Sequence, residues 1–369
     1  MAAGLCAVLA ACESTPAYRP PVTILPPQPR PVIIYPPPVA QTNVPAVRPP
    51  QPAPPPFVVT PPRPVPPKPP VLPPPAYSLL INGAQWVSLE AWGLAQGPAR
   101  FARLGAESDW TYRLQVNERT FDLKADNRVA FCEGSQIWLG YAPKLMKGHL
   151  YIHPLDIQKN LGPILAEIPV RNRVVVIDPG HGGENRGTQS IFNKAYEKEY
   201  TLDWALRLKP LLEAKGWKVH LTRTRDTTLS LPDRVAYAEK VKANLFISLH
   251  FNSAGSEHTG METYCITPVG MASHMGRGAD DDVRTALPNN AHDTANIQYA
   301  ARVHSAMVGH VGMIDRGVRR VRFMAVLKGQ KRPALLLEGG YLSNAEEARL
   351  IAMPDYRQKL ADGVARALP

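Results

Sequence analysis

Apolar residues in this chain fall into two kinds of run. The first kind is short and unbroken: Val174–Ile177, Leu245–Leu249 and Pro333–Leu337. Such runs predict strands buried on both faces. The second kind recurs at helical spacing. Leu202, Ala205, Leu206, Leu208 and Leu212 form one stripe that Gly216 ends, and Ile297, Ala300, Val303, His304 and Met307 form another. Lys218–Thr222 and Gly260–Thr267 add strands, with His220 in the middle of the first and Glu262 free to face either way in the second. Ser230 followed by Asp233 caps a further helix, Ser343 or Asn344 caps the next, and a last helix runs from about Pro354 to Leu368. On this reading His304 and His310 lie on a helix surface. Strand and helix alternate throughout, which predicts an α/β domain over 170–369 with a mostly parallel, helix-covered sheet.

Upstream the pattern changes. From Tyr77 to Pro169 apolar and polar residues alternate in short runs: Tyr77–Ile81, Gln85–Leu89, Trp110–Val116, Arg119–Lys124, Gln136–Leu139 and His149–Ile152. Asn82-Gly83 and Asn117-Glu118 supply turns, and Ser88 caps a short helix. The stretch 77–169 reads as a small α+β domain. His149 and His153 sit four apart, but the strand between them makes them ordinary histidines rather than a metal pair.

Composition adds the front of the chain. Of 40 prolines in 369 residues, 27 fall between Pro16 and Pro75, so 13–76 reads as a disordered or polyproline II linker. About 60 residues of polyproline II reach roughly 190 Å, enough for a tether. Between Pro16 and Pro75 the chain holds Arg19, Arg30, Arg48, Arg63 and Lys68 and no acid, so that span supplies five of the +11 net charges. A basic tail suits anionic lipid or wall polymer and argues against nucleic acid as partner. Residues 1–12 are small and apolar, too short to span a bilayer. They end in Leu9-Ala-Ala-Cys12, which resembles the lipobox of bacterial lipoproteins and makes Cys12 the lipidation site, although no cation precedes the run. Cys132 and Cys265 remain, one in each predicted domain; with no Cys-x-x-Cys, a thiolate zinc site is excluded.

The chemistry lies at the strand ends. Asp178-Pro-Gly-His181-Gly-Gly follows the first buried strand, His250 ends the second and Glu338 ends the third. If these strands are parallel neighbours, the three groups converge on the rim where open α/β sheets bind ligands. Two histidines with carboxylates are the composition of a catalytic zinc site with an open position. Glu197 and Glu199 both open the next helix, and spacing does not choose between them.

From Val174 to the C-terminus the chain resembles the zinc-dependent N-acetylmuramoyl-L-alanine amidases of bacterial cell walls, the amidase type 3 group. The motifs are Asp178-Pro-Gly-His-Gly-Gly183, Glu197-Lys-Glu-Tyr-Thr-Leu202, Ser248-Leu-His-Phe-Asn252 and Leu337-Glu-Gly-Gly-Tyr-Leu-Ser-Asn344. The resemblance implies that His181, Glu197 and His250 bind Zn2+, with Glu338 as general base for zinc-activated water. It makes the muramoyl–L-alanine amide of peptidoglycan the scissile bond. Arg234 and Asn252 are candidates for substrate contact or support, and residues 268–293 are a lid or a plain loop. Residues 77–169 resemble the stalk domain first named from the N-terminus of copper amine oxidases. The expected setting is the cell envelope, as a periplasmic lipoprotein with peptidoglycan as substrate, the membrane reached through Cys12, and room for an activator protein. The alternative is a non-catalytic wall-binding lipoprotein with a degenerate hydrolase fold.

Overall fold

The computed structural model describes residues 77–106, 109–168, 172–275 and 281–369. The signal-like segment, Cys12 and the proline-rich stretch lie outside the described residues.

The first part of the described chain is built from hairpins. Strands β1 (Ser78–Ile81) and β2 (Ala84–Ser88) lead into helix α1 (Leu89–Gln96). Then come β3 (Ala99–Leu104), β4 (Thr111–Val116), β5 (Arg119–Lys124), β6 (Val129–Cys132), β7 (Ser135–Trp138), β8 (Lys144–Met146) and β9 (His149–Ile152). Four of the turns place two successive residues at positive φ: Asn82-Gly83, Asn117-Glu118, Glu133-Gly134 and Lys147-Gly148. That backbone matches the right-handed twist of paired strands. Ser88 Oγ accepts from the Ala91 N–H at 3.3 Å, as its capping role predicts. Short helical turns follow at α2 (Pro154–Asp156) and α3 (Gly162–Leu165).

The second part alternates strand and helix. Its elements are β10 (Val174–Pro179), α4 (Glu197–Ala214), β11 (Lys218–Leu221), α5 (Leu231–Lys240), β12 (Leu245–Asn252), β13 (Met261–Ile266), α6 (Asp293–Val311), β14 (Asp315–Val321), α7 (Ala325–Lys328), β15 (Ala334–Tyr341), α8 (Ala345–Ala352) and α9 (Pro354–Ala367). Strands β11, β10, β12 and β15 are parallel neighbours in that order. Strand β13 then runs antiparallel to β15, while β14 is parallel to β13. The sheet is therefore mixed, with flanking helices. It continues from β14 into β7 through a parallel pairing of Val318 with Ile137, and on through β6, β5 and β4 to β3.

The two faces are covered differently. Val175, Ile177, Ile247, Leu249, Leu335 and Leu337 share a core with Trp204 and Leu208 of α4, Val303 of α6 and Leu360 of α9. Val176, Phe246, Tyr264, Ile266 and Leu336 pack on the other face against Ala238 of α5 and Val326 and Leu327 of α7. Burial of these side chains is the main stabilising term, with each Val, Leu, Ile or Phe contributing about 1.5–3 kcal/mol. The two covering elements on the second face are short, at ten and four residues.

His304 departs from its expected place. It is fully buried, with Nδ1 facing Thr263 Oγ1 at 3.0 Å and Nε2 facing Asp315 Oδ1 at 2.8 Å. A polar residue on an apolar stripe is paired inside the core here, because burial without partners would cost too much.

A candidate metal centre at the strand ends

Strand β10 ends at Pro179, and the chain turns at once. His181 has φ +61°, Gly182 +127° and Gly183 +58°. A histidine in the left-handed region has to be held there. Arg234, buried on α5, does much of this. Its Nη1 donates to Asp178 Oδ1 at 2.7 Å and to the Pro179 carbonyl at 2.9 Å, and its Nη2 donates to the His181 carbonyl at 2.6 Å. Asp178 also accepts from Thr222 Oγ1 and Ser248 Oγ. Arg223 holds the other side of the turn, donating to the carbonyls of Pro179, Gly180 and Lys198. Burial beside a second guanidinium brings the Arg223 pKa down to about 10.

Glu197 is the first residue of α4 and is buried. Its Oε1 meets His250 Nδ1 at 2.9 Å and the Phe251 N–H at 3.0 Å. Its Oε2 meets His181 Nε2 and the Thr188 N–H, each at 3.0 Å. Glu199 turns away, its Oε1 accepting from the Tyr196 N–H at 3.1 Å as a helix cap. So of the two acids spacing left equal, Glu197 meets the histidines.

The donor atoms of His181, Glu197 and His250 all lie within 4.8 Å of one another. Bonds of about 2.0–2.1 Å to a tetrahedral ion would bring them to about 3.3 Å apart. His181 Nδ1 faces Asn185 Oδ1 at 2.8 Å. A carbonyl oxygen only accepts, so the proton sits on Nδ1 and Nε2 is left to bind. Burial works against charge on Glu197, but His181 and then His250 outweigh it and hold the carboxyl well below its usual range. Burial also opposes the charged form of His181, yet Glu197 raises its pKa, while for His250 burial wins and lowers it. One buried anion between two imidazoles is a donor set for a divalent transition metal.

Two glycines make room for these side chains. A Cβ on Gly180 would stand 2.4 Å from His250 Cε1, and one on Gly187 2.6 Å from Glu197 Oε2. Gly180→Ala is expected to weaken metal binding by about 10–100-fold, as loss of ligand orientation does elsewhere. Titration of the metal-free protein with zinc measures this; wild-type affinity would show that His250 tolerates the shift.

Glu338 lies in register with His250 on one side and with Glu262 on the other. Cross-strand neighbours share a face, so all three point to the same side of the sheet. Glu338 is 9% exposed. Glu262, which the sequence left unassigned, is buried. It accepts from Asn252 Nδ2 at 3.0 Å, from the Tyr264 hydroxyl and from Arg316 Nε at 2.7 Å. Asn252 thus supports Glu262, and Arg234 supports the His181 turn. Sequence reading missed Asp178, Arg223, Glu262 and Arg316 as site-forming residues; only the placement of Asp178 in the turn motif signalled one of them. A cavity of about 730 Å³ lies elsewhere, between β7, α6 and α9, and none of these residues lines it.

Residues 175–369 match the family profile described as N-acetylmuramoyl-L-alanine amidase. Over 197 residues the chain is 32% identical to the N-acetylmuramoyl-L-alanine amidase LytC of Bacillus subtilis, covering 53% of this chain and 35% of that protein. It is 33% identical over 196 residues to the sporulation-specific N-acetylmuramoyl-L-alanine amidase of the same organism, covering 53% and 66%. The chain thus spans less than two thirds of the length of these two relatives. The catalytic domain of CwlV, an N-acetylmuramoyl-L-alanine amidase from Bacillus (Paenibacillus) polymyxa, aligns at 36% identity and a TM-score of 0.44, covering 53% of this chain and 95% of that one.

Proposed function

The chain belongs to the amidase type 3 family of N-acetylmuramoyl-L-alanine amidases, and on that premise we propose that it hydrolyses the amide between the lactyl group of N-acetylmuramic acid and L-alanine in peptidoglycan. The observation that carries this reading is the convergence of His181, Glu197 and His250 within 4.8 Å on the sheet face that Glu338 shares.

His181 Nε2, His250 Nδ1 and a Glu197 oxygen would hold zinc. Zinc bound there would acidify a water and polarise the amide carbonyl. Glu338 takes the proton from the attacking water and returns it to the leaving amine of L-alanine. Arg234 and Arg223 keep His181 at its left-handed φ, and Asn185 keeps its Nε2 available. Glu197 stays ionised because its buried oxygens face imidazoles and backbone N–H groups rather than other acids.

The setting is the cell envelope. The lipobox-like Leu9–Cys12 and the basic, proline-rich 13–76 stretch support a periplasmic lipoprotein tethered through Cys12. No helix among the described residues is long and apolar enough to cross a membrane. An activator protein fits this reading as a further partner.

Purified full-length protein should bind about one zinc and release peptides with a free L-alanine amine from peptidoglycan. Chelation should abolish release, and added zinc should restore it. Release that survives complete chelation, or peptides that lack the free L-alanine amine, would overturn the reading.

A further inference from the structure

The sheet face that holds Glu338 continues past the metal ligands. Tyr264, two residues beyond Glu262 on β13, is in register with Arg319 of β14. Val318 pairs with Ile137 in the parallel β14–β7 ladder. Neighbouring residues on a strand point to opposite faces, so Arg319 and Trp138 lie together on the face opposite Val318 and Ile137. His250, Glu338, Glu262, Arg319 and Trp138 therefore form one strip across five adjacent strands. Its last member comes from outside the 175–369 segment that matches the family.

The far end of the strip is held in place. The Arg319 guanidinium carbon lies 4.3 Å from the Trp138 ring centroid. Trp138 Nε1 donates to the Arg316 carbonyl at 3.1 Å. Gly317, at φ +91°, leaves the space the indole occupies, since a Cβ there would stand 2.8 Å from Trp138 Cδ1. Arg316 takes the short contact to Glu262 Oε1 at 2.7 Å, while Arg319 Nε reaches the same oxygen only at 3.4 Å and the Arg316 carbonyl at 3.3 Å. Two guanidinium groups thus share one carboxylate. Neither Nη nitrogen of Arg319 has an acceptor among the described residues, and its side chain keeps 12% exposure. A stacked guanidinium with an unused donor edge is organised to take a carboxylate.

Distance decides which part of the substrate could supply it. From β12 to β14 is three strand spacings, about 14 Å at ~4.8 Å each. An extended peptide covers that in about four residues. The sugar side offers no carboxylate, because the lactyl carboxyl is tied up in the scissile amide. We propose that Arg319, stacked on Trp138, binds a peptide carboxylate about four residues from the hydrolysed bond. This deepens the amidase reading and rests on it.

The test uses the full chain and two synthetic muramoyl tetrapeptides, one ending in a free carboxylate and one in an amide. Wild type should favour the acid by about tenfold in kcat/KM, expressed in KM. Arg319→Gln should bring the acid-to-amide ratio to about one, and Arg319→Lys should keep part of it. Equal losses on both substrates in Arg319→Gln would reduce Arg319 to a structural role and overturn the proposal, as would a wild-type ratio near one. Equilibrium binding of the two free tetrapeptides separates the two ideas. Acid-selective binding that Arg319→Gln removes, without hydrolysis by wild type, would sink the amidase reading and keep the subsite. Hydrolysis without acid selectivity would do the reverse.

Discussion

Glu338→Gln is expected to lower kcat by about 10²–10⁴-fold, the range of a lost general base, while zinc content stays at the wild-type level. The two halves of that expectation come from different observations. Retained metal follows because the convergent donor set is His181, Glu197 and His250, without Glu338. Lost turnover follows because Glu338 is the carboxylate in register with His250, on the same face of the sheet. Glutamine keeps the shape and the carbonyl but cannot take a proton at neutral pH. Metal analysis and single-turnover kinetics on the same preparation check both halves. Activity within tenfold of wild type would remove Glu338 from the base role. Loss of zinc would instead make it a ligand.

Much of this site could be read from the chain because strand ends announce themselves. Short apolar runs followed by His181, His250 and Glu338 carry the placement in local sequence. The hairpin turns were legible for the same reason: Asn82-Gly83 and Asn117-Glu118 sit where positive φ is needed. The direction of β13 was not legible, since alternation of apolar residues is the same in parallel and antiparallel strands. Glu262 stayed unassigned for a related reason. Its neighbours Asn252, Arg316 and Glu338 arrive from three other strands, and no local pattern encodes that order. His304 was misplaced because its partners lie outside the α6 stripe, Thr263 on β13 and Asp315 at the start of β14, so the stripe alone does not show that the ring is paired inside the core. The continuation of the sheet into β7 rests on a single residue pairing, Val318 with Ile137, that periodicity cannot supply.

Arg234→Met is expected to destabilise the protein by about 3–5 kcal/mol, because it leaves a buried carboxylate without its cation. Asp178 is 1% exposed and Arg234 3% exposed, so water replaces neither partner. Asp178→Ala should cost a similar amount, since it strands the guanidinium and also removes the acceptor of Thr222 and Ser248. At about 2–4 °C per kcal/mol for a folded unit of this size, each single variant should melt about 6–20 °C lower. The double variant should fall well short of the sum, with a coupling of about 1–3 kcal/mol, because neither charge is then left alone. Metal binding should behave differently. Arg234 also donates to the carbonyls of Pro179 and His181, and that contact is lost in the double variant as in Arg234→Met. Recovered stability with zinc affinity still lowered about tenfold or more would separate the two roles of the arginine. Additive melting losses would show that the pair is not coupled. Full recovery of zinc affinity in the double variant would show that the His181 turn holds its left-handed backbone without Arg234.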